Sequence, residues 1–441
     1  MEKRKNKLDA DFVICEIYKI VEHHFPNFLE ILQAVDDPRK QQQYSIEDIV
    51  FGAVSMFLFK TGSRNSYDNY RKFGKFGKNF EKVFGLSLPS MDAVADVLKQ
   101  MPTGQLEDLK SKLTKILLEK KVFHKWRFNG YVLVAIDGTG ICTFKEKHCD
   151  DCLHSESKNG VKTYFHKVLE AKLVTSNGFS ISLCTVWIDN EDTNNALYDK
   201  QGCESKAFIK LAEKLNTEFP RLKICLCADG LYPKKPFFET CSNNGWKYIV
   251  TLKDGNLKGL WKKILFTDRE SLKNTFKDDN ISYGQDIEWI NNIEHNGFTH
   301  NWIQCKEAQA MQNGKIKKAR FVHLTNIDID GDNAIQVSQN GRLRWKIEKQ
   351  GFDQQKNHGY NICHKYCRKS YTGMKNFYQC CQIAHMINQL VEMTKNFVQA
   401  KGKNTIKFLW EILRGFMLFG YISLSELQVI KSHRYQIQYK E

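Results

Sequence analysis

The chain has 441 residues, of which 42% are hydrophobic and 26% charged. This composition is that of a globular protein with room for two or three domains, and it excludes a low-complexity chain. The 66 Lys and Arg against 50 Asp and Glu leave a net charge of +16. That surplus indicates a polyanionic partner such as nucleic acid, although a generic basic surface gives the same total. No apolar run reaches the roughly 18 residues of a membrane span, and fourteen cysteines without a signal peptide predict reduced thiols in a cytosol.

Residues 1 to about 125 have the pattern of several helices. Ser45-Ile46-Glu47-Asp48 resembles a capping box with Asp in place of Glu, and Pro89-Ser90 precedes another helical pattern. Between them, the stretch from Arg71 to Lys82 interleaves five cations with three Phe. This combination predicts a DNA-binding region, and a helical bundle packed on the next domain fits nearly as well. The candidate DNA contacts are Arg71, Lys72, Lys75 and Lys78.

From Tyr131 onwards the pattern changes to strands. Tyr131 to Ile136 is an apolar run without polar alternation, which predicts a strand buried on both faces, and it stops at Asp137-Gly138. Ile224 to Ala228 has the same form and stops at Asp229-Gly230. Either Asp taken alone is most simply the start of a turn. Two buried strands that each deliver a carboxylate to the sheet rim indicate a site.

The middle of the chain predicts an α/β fold, a mixed sheet of about five strands with helices on its faces. Two β-rich runs joined by Ser176-Asn177-Gly178 carry a hairpin signal. Short β runs between Asn and Gly turns then predict an antiparallel insertion, and a strongly helical part follows from Asn340 to about Ile430. The predicted regions are 1–125 (helical), 126–256 (first part of the α/β core), 257–326 (β insertion), 327–430 (completion of the core and C-terminal helices) and 431–441 (a loosely ordered tail).

The stretch from Gly341 to Tyr360 is the third informative segment. At 100° per residue, Arg344, Glu348 and Gln355 share one face of the predicted helix. Residues 341–375 carry nine Lys and Arg against only two acids. Glu348 as an i, i+4 partner of Arg344 explains one ion pair, but not why the most basic segment surrounds a single well-placed acid.

One cluster has the ligand types of a zinc site. His148-Cys149-Asp150-Asp151-Cys152-Leu153-His154 contains a Cys-x-x-Cys with a His on either side. No second Cys-x-x-Cys accompanies it, and four ligands from seven residues would be cramped. We therefore favour a mobile surface loop within the polar stretch 145–162, and leave open whether His148, Cys149, Cys152 and His154 bind zinc.

Together these segments resemble the DDE transposases of bacterial insertion sequences, specifically the group with a Tyr-Arg-Glu-Lys signature and a β insertion before the final Glu. The resemblance covers roughly residues 130–390. Its matching stretches are Ile136 to Thr139, Ala228 to Gly230 with Tyr248 to Lys253 downstream, and Arg344 to Glu348. The Tyr position of the signature is Gly341 in this chain, and the Lys position is Gln355, with Lys356 directly after it.

The resemblance implies an RNase H-like catalytic domain with a metal site formed by Asp137, Asp229 and Glu348. Two Mg²⁺ or Mn²⁺ ions would serve cleavage of element ends and strand transfer into target DNA, with Arg344 and Lys356 at phosphates. The implied partner is double-stranded DNA, bound by a homodimer in the bacterial cytoplasm at the nucleoid. Two alternatives stay open: an RNase H-like nuclease or resolvase without strand transfer, and an inactive DNA-binding relic.

Overall fold

The computed structural model describes residues 9–190, 200–278 and 281–441, and its centre is one mixed sheet of ten strands. The strands are β1 (Val132–Phe144), β2 (Leu153–Glu156), β3 (Lys162–Val174), β4 (Ser180–Ile188), β5 (Ile224–Ala228), β6 (Lys247–Thr251), β7 (Glu270–Asp278), β8 (Ile281–His295), β9 (Phe298–Ala310) and β10 (Ile316–Thr325). They lie in the order β2-β3-β1-β5-β6-β10-β9-β8-β7, with β4 paired to β3.

The predicted mixed α/β sheet is confirmed, but its predicted size of about five strands is wrong. β1, β5 and β6 are parallel neighbours, and the β3–β4 hairpin is antiparallel as predicted. The inserted strands do not form a separate unit, because β10 pairs antiparallel with β6, with His323 opposite Thr251. Backbone hydrogen bonding across this pair joins the insertion to the central sheet, which gives ten strands.

The first buried strand does not stop at Asp137, as the sequence had predicted. Its parallel pairing with β5 ends at Ala135, but its antiparallel pairing with β3 continues to Phe144 with a bulge after Gly140. The residues from Gly138 to Gly140 are therefore strand rather than turn, since β3 still satisfies their backbone groups. The polar stretch predicted as a loop also contains β2, which pairs with β3.

The helical N-terminal region is confirmed by α1 (Phe12–His24), α2 (Phe28–Gln33), α3 (Ile46–Leu58), α4 (Arg64–Lys72), α5 (Phe76–Phe84), α6 (Met91–Gln100) and α7 (Gln105–Glu119). The capping box of α3 is present: the Asp48 amide donates to the Ser45 hydroxyl at 3.3 Å, and the Ser45 amide donates to the Asp48 carboxylate at 3.1 Å. The sheet is flanked by α8 (Lys200–Glu218), α9 (Lys235–Asn243) and α10 (Lys258–Phe266).

The C-terminal part is less continuous than the predicted helical region from Asn340 to Ile430. It consists of α11 (Ala334–Arg342), a π-helix (Ile347–Asp353), α12 (Gln354–Asn357), α13 (Tyr371–Glu392), α14 (Lys395–Lys401), α15 (Ile406–Phe419) and α16 (Leu424–Ser432). The chain leaves the helical conformation after α12, where Gly359 and Asn361 have φ of 91° and 53°. Such left-handed residues end a helix.

Helix α13 lies at the centre of the helical layer. It packs against α1, α3, α6 and α7 on one side and β4 on the other, so the N-terminal helices and the sheet share one hydrophobic core. The predicted loose tail also packs here, since the Lys440 amide donates to the Met393 carbonyl at 2.9 Å and the Tyr439 hydroxyl is 2.7 Å from His24 Nε2. Among the described residues, no helix combines the length and apolar character that crossing a membrane requires.

Candidate active site

Three polar side chains follow the carboxyl ends of the three parallel strands. Asp137 lies on β1 two residues beyond its last pairing with β5, Asp229 follows β5 directly, and Lys253 lies two residues after β6. Ala135 is opposite Cys227, so Asp137 and Asp229 occupy equivalent positions two residues further along. Because neighbouring strands are about 4.8 Å apart, both acids lie at the same short stretch of the sheet edge.

The face of the sheet on which these acids lie is covered by α11 and the π-helix. Ala135 and Cys227 belong to an apolar cluster that includes Val337, Ile347 and Phe352. The Cys227 thiol is 3.7 Å from the Asn340 carbonyl oxygen. Since side chains alternate along a strand, Asp137 projects towards the same side as Ala135, where the segment with Glu348 lies.

Arg344 joins two of the predicted acids. Its Nη1 donates to Glu348 Oε1 at 2.8 Å and lies 3.4 Å from Asp137 Oδ2. Asp137 is 207 residues away from Arg344 in sequence. Arg344 is only 8% exposed. Its guanidinium is therefore a buried cation held between two carboxyl groups.

The environment of Asp137 favours its protonated form. Burial raises its pKa to about 7, the Arg344 guanidinium opposes this rise, and the Glu348 carboxyl adds to it through its charge and a hydrogen bond. The other oxygen of Asp137 accepts a hydrogen bond from the Gly138 amide at 2.9 Å. Two carboxyl groups in contact, with one arginine between them, form a site that favours further positive charge.

Asp229 has its own partners at this edge. It accepts a hydrogen bond from the Leu231 amide at 2.8 Å, and the Lys253 ammonium is 4.0 Å from its Oδ2. A Cβ at Gly230 would lie 2.7 to 2.8 Å from the Lys253 side-chain carbons, so glycine is needed for Lys253 to reach over this turn. The structure thus brings Asp137 and Glu348 into contact and places Asp229 at the end of the neighbouring strand.

The two positions at which the chain departs from the Tyr-Arg-Glu-Lys signature have structural explanations. At Gly341, an added Cβ would lie 2.6 Å from the His323 ring, so a tyrosine does not fit. Gln355 is fully buried, and its amide donates to Gln382 at 2.8 Å. A lysine there would face the core. A regular helix of 100° per residue predicts Gln355 on the face of Glu348, and the intervening π-helix rotates it away.

The predicted DNA-binding residues differ in their surroundings. Lys356 is half-buried and lies near Cys363. Burial raises the pKa of the Cys363 thiol, and the Lys356 ammonium partly opposes this rise. The Cys363 thiol is 3.8 Å from the Gly140 carbonyl oxygen of β1. Lys356 therefore lies on the side of β1 beyond Asp137. Arg71 pairs with Asp68 at 3.1 Å.

Around Arg71, three of the four N-terminal candidates are exposed. These are Lys72, Lys75 and Lys78. The aromatic residues among them do not form a stacking surface, since Phe76 and Phe80 are core residues and Phe73 alone is exposed.

Sequence reasoning missed two residues at this site. Lys253 follows β6 at the edge where Asp229 follows β5, and this repeated position was the signal that could have found it. Trp345 is 52% exposed, and its ring centroid is 5.3 Å from the Arg344 guanidinium. A tryptophan exposed to this extent beside two partly exposed acids presents a flat surface on which a nucleic acid base can stack.

The fold and the site define a class of protein: a ten-stranded mixed sheet with flanking helices and acids at one edge is consistent with an RNase H-like transposase domain. Residues 189–384 match the family described as Transposase DDE domain. This span includes Asp229, the β insertion and Glu348, whereas Asp137 lies before it. A search among curated proteins found no match.

The family match supports a DDE transposase, an enzyme of DNA transposition and recombination. The matched family implies a DNA substrate and generally depends on divalent metal ions.

Proposed function

We propose that this protein cuts the ends of a mobile DNA element and joins them to target DNA in a cut-and-paste reaction, with Asp137, Asp229 and Glu348 as its catalytic residues. The observation that carries the proposal is the contact of Asp137 and Glu348 through Arg344, at the edge where Asp229 follows the next strand. An ordinary ion pair needs one acid. A second carboxyl in contact with the first is costly unless one of the two is protonated or a cation of higher charge binds there.

The side chains at this edge fit two Mg²⁺ or Mn²⁺ ions. Carboxylate oxygens are the ligands that such hard cations prefer, and burial together with Glu348 raises the pKa of Asp137 to about 7, which a bound cation would reverse. Asp137, Asp229 and Glu348 would hold the ions. Bound there, two ions supply activation of an attacking oxygen and stabilisation of the leaving oxygen.

The cations around the acids support a DNA backbone as substrate. Lys253 lies beside Asp229 with its side chain 56% exposed, and Lys356 lies near β1 beyond Asp137. Both would contact phosphates next to the acids, because an ammonium near a carboxylate site favours an anion there. Arg344 would orient Asp137 and Glu348 before metal binds and contact a phosphate afterwards. Terminal repeats and target DNA are the proposed partners, with a homodimer on the DNA in the cytoplasm, at the bacterial nucleoid.

The test is cleavage of a plasmid that carries both ends of the element, with a supercoiled target plasmid present. Asp137→Asn, Asp229→Asn and Glu348→Gln keep side-chain shape and remove a metal ligand, so each should lower the cleavage rate at least about 100-fold, as expected for the loss of a metal ligand or its orientation. DNA affinity, measured by fluorescence anisotropy, should stay within about threefold because the carboxylates do not hold the backbone. Asp353→Asn, an exposed acid on the same segment, is the matched control and should cleave normally.

The products of the same reaction separate the alternatives. Joined element–target molecules support strand transfer, whereas linear fragments without joining indicate a nuclease or resolvase. No cleavage by the parent protein with Mg²⁺ or Mn²⁺ would point to an inactive relic. If Glu348→Gln cleaves as fast as the parent, Glu348 is only the helix partner of Arg344, and the catalytic assignment is wrong.

A further inference from the structure

Four metal-ligating side chains meet away from the acids, between the loop that follows β1 and strand β3. His148, Cys149 and Cys152 come from the loop, and His166 comes from β3. One ligand atom from each lies within 4.8 Å of the ligand atoms of the other three. His166 is four residues along β3 from Glu170, the partner of Asp137, so the cluster is about 13 Å along the strand from the catalytic acids.

The separations within the cluster are those of a tetrahedral zinc site. Cys149 Sγ and Cys152 Sγ are 3.7 Å apart, and each is 3.5 Å from His166 Nε2. Zinc binds thiolate at about 2.3 Å and imidazole at about 2.0 Å, and in a tetrahedron these bond lengths separate two sulfurs by about 3.8 Å and sulfur from nitrogen by about 3.5 Å. A disulfide needs the sulfurs about 2.05 Å apart, so the two thiols are separate.

His148 is oriented to supply the fourth ligand. Its Nε2 is hydrogen-bonded to the Arg368 carbonyl oxygen, which leaves Nδ1 buried and without a hydrogen-bond partner among the described residues. A histidine that donates one ring N–H to a carbonyl while the other nitrogen binds metal is the usual arrangement in zinc sites.

Both histidine rings are held in place by aromatic neighbours. The Phe144 ring stacks on His148 with centroids 4.4 Å apart, and the Tyr371 ring stacks on His166 at 4.0 Å. The ligands are therefore positioned by the β1–β3 pair and by the start of α13.

We propose that His148, Cys149, Cys152 and His166 bind one Zn²⁺ ion in a structural site distinct from the catalytic acids. Two thiolates and two imidazoles in a tetrahedron select zinc over hard cations such as Mg²⁺. Four protein ligands leave no open position for substrate, so the ion serves structure. It ties the loop after β1 to β3 and, through His148, to Arg368 before α13.

The sequence had offered His154 as the fourth ligand, and the structure replaces it with His166. The ring of His154 packs against Tyr164, with centroids 5.8 Å apart. His166 could not be found from spacing within the loop, because it is brought to the thiols by the pairing of β3 with β1, in which it lies opposite Cys142.

The test is the metal content of the full-length protein, purified without chelator and dialysed against buffer containing Mg²⁺. Inductively coupled plasma mass spectrometry should find about one zinc per chain, and X-ray absorption should find two sulfur and two nitrogen neighbours at the distances given above. Cys149→Ser, Cys152→Ser and His166→Gln should each lower zinc content at least about tenfold at a limiting chelator concentration. His154→Gln is the matched control and should retain zinc.

Two further variants keep the test decisive. His166→Cys retains a zinc ligand and should keep the metal, which separates ligand loss from misfolding in His166→Gln. Asp137→Asn should also keep the zinc, so that a wrong catalytic assignment does not affect the result. Three results would each overturn the proposal. The protein purified without zinc could fail to take up one equivalent of added Zn²⁺, or the reduced preparation could contain a Cys149–Cys152 disulfide. The third is an equal zinc content in the His154→Gln and Cys149→Ser variants.

Discussion

At Asp137, burial and the neighbouring Glu348 carboxyl both favour the protonated acid, and this has a consequence for stability. The pKa in the folded protein is raised to about 7, against about 3.9 in an unfolded chain. Between these values the folded protein keeps a proton that the unfolded chain has lost. The contribution of Asp137 to stability is therefore present at low pH and falls as pH rises through this window.

We predict that Asp137→Asn removes this pH dependence in the metal-free state. Between pH 5 and pH 8 the parent should lose about 2 kcal/mol of unfolding free energy relative to the variant, because the asparagine has no proton to lose. Urea denaturation at both pH values in Mg²⁺-free buffer measures the difference. If the unfolding free energy changes equally with pH in the parent and in Asp137→Asn, the pKa of Asp137 is not raised in the folded protein.

Gln355 stands at the Lys position of the Tyr-Arg-Glu-Lys signature that the sequence resembles, and its side chain is buried. Gln382 Oε1 accepts from Gln355 and also from the Lys172 ammonium, at 2.7 Å. Lys172 is itself fully buried and lies 3.8 Å from Glu170. Position 355 thus belongs to a buried polar network between the segment that follows Glu348 and α13, and this network already contains one cation.

We predict that restoring the signature lysine harms this chain. Gln355→Lys places a second cation next to Lys172 without a carboxylate of its own, so it should destabilise the protein by about 3 to 5 kcal/mol. It should not raise cleavage, because the side chain faces the core. Asn357→Lys adds the same charge at an exposed position nearby and should change stability by less than about 0.5 kcal/mol. A stable Gln355→Lys variant that cleaves faster would contradict this placement.

Among the elements, α11 leads directly into the segment that carries Arg344 and Glu348, and the β insertion holds α11. Arg342, the last residue of α11, donates to both carboxylate oxygens of Glu307 on β9, at 2.7 and 3.2 Å. Glu307 is 2% exposed and also accepts from the Gln285 amide at 2.7 Å. The insertion therefore contacts the chain two residues before Arg344, which gives it a role in placing the acids.

We predict that Arg342→Ala destabilises the protein by about 2 to 4 kcal/mol, since it leaves a buried carboxylate without its cation. Cleavage should fall at a temperature where the variant is still folded, because α11 loses its tie to β9. Lys235→Ala, which breaks the exposed pair with Glu239, is the control and should cost no more than about 1 kcal/mol. Urea denaturation and the cleavage assay give the two readouts. Equal stability losses for both variants would mean that the Arg342 pair is a surface contact.

The elements that the sequence predicted well are those whose signal is local. The apolar runs of β1, β5 and β6, the Asn-Gly hairpin and the capping box at Ser45 each depend on neighbouring residues. The continuation of β1 past Asp137 was missed because Gly138 and Gly140 read as a turn, and only pairing with β3 makes them strand. The same holds for the polar clusters: Arg344 and Glu348 are four residues apart and were found together, whereas His166 is brought to the thiols by the pairing of β3 with β1.

At the scale of the whole molecule, the positive charge and the shared core constrain how DNA is bound. Helices α1, α3, α6 and α7 pack on α13, which also contacts the sheet, so the exposed cations near α4 and α5 are held relative to the sheet edge with Asp137 and Asp229. The net charge of +16 makes salt-dependent binding a general expectation, and the question is which lysines contribute to it.

We predict that Lys72, Lys75 and Lys78 neutralise phosphates when element ends are bound. The logarithm of DNA affinity should fall linearly with the logarithm of salt concentration, with a slope of about −0.9 for each phosphate neutralised. Replacing the three lysines together by Gln should make this slope less negative by about 2 to 3 and weaken binding at low salt.

The exposed lysines Lys315, Lys317 and Lys318 at the β9–β10 turn offer a control with the same change of charge. Their replacement lowers the net charge equally, so a general electrostatic effect would shift both triple variants alike. A slope that changes only when Lys72, Lys75 and Lys78 are replaced therefore places DNA on the N-terminal helices. Fluorescence anisotropy across a salt series measures the slope. An unchanged slope in that variant would remove Lys72, Lys75 and Lys78 from the DNA-binding surface.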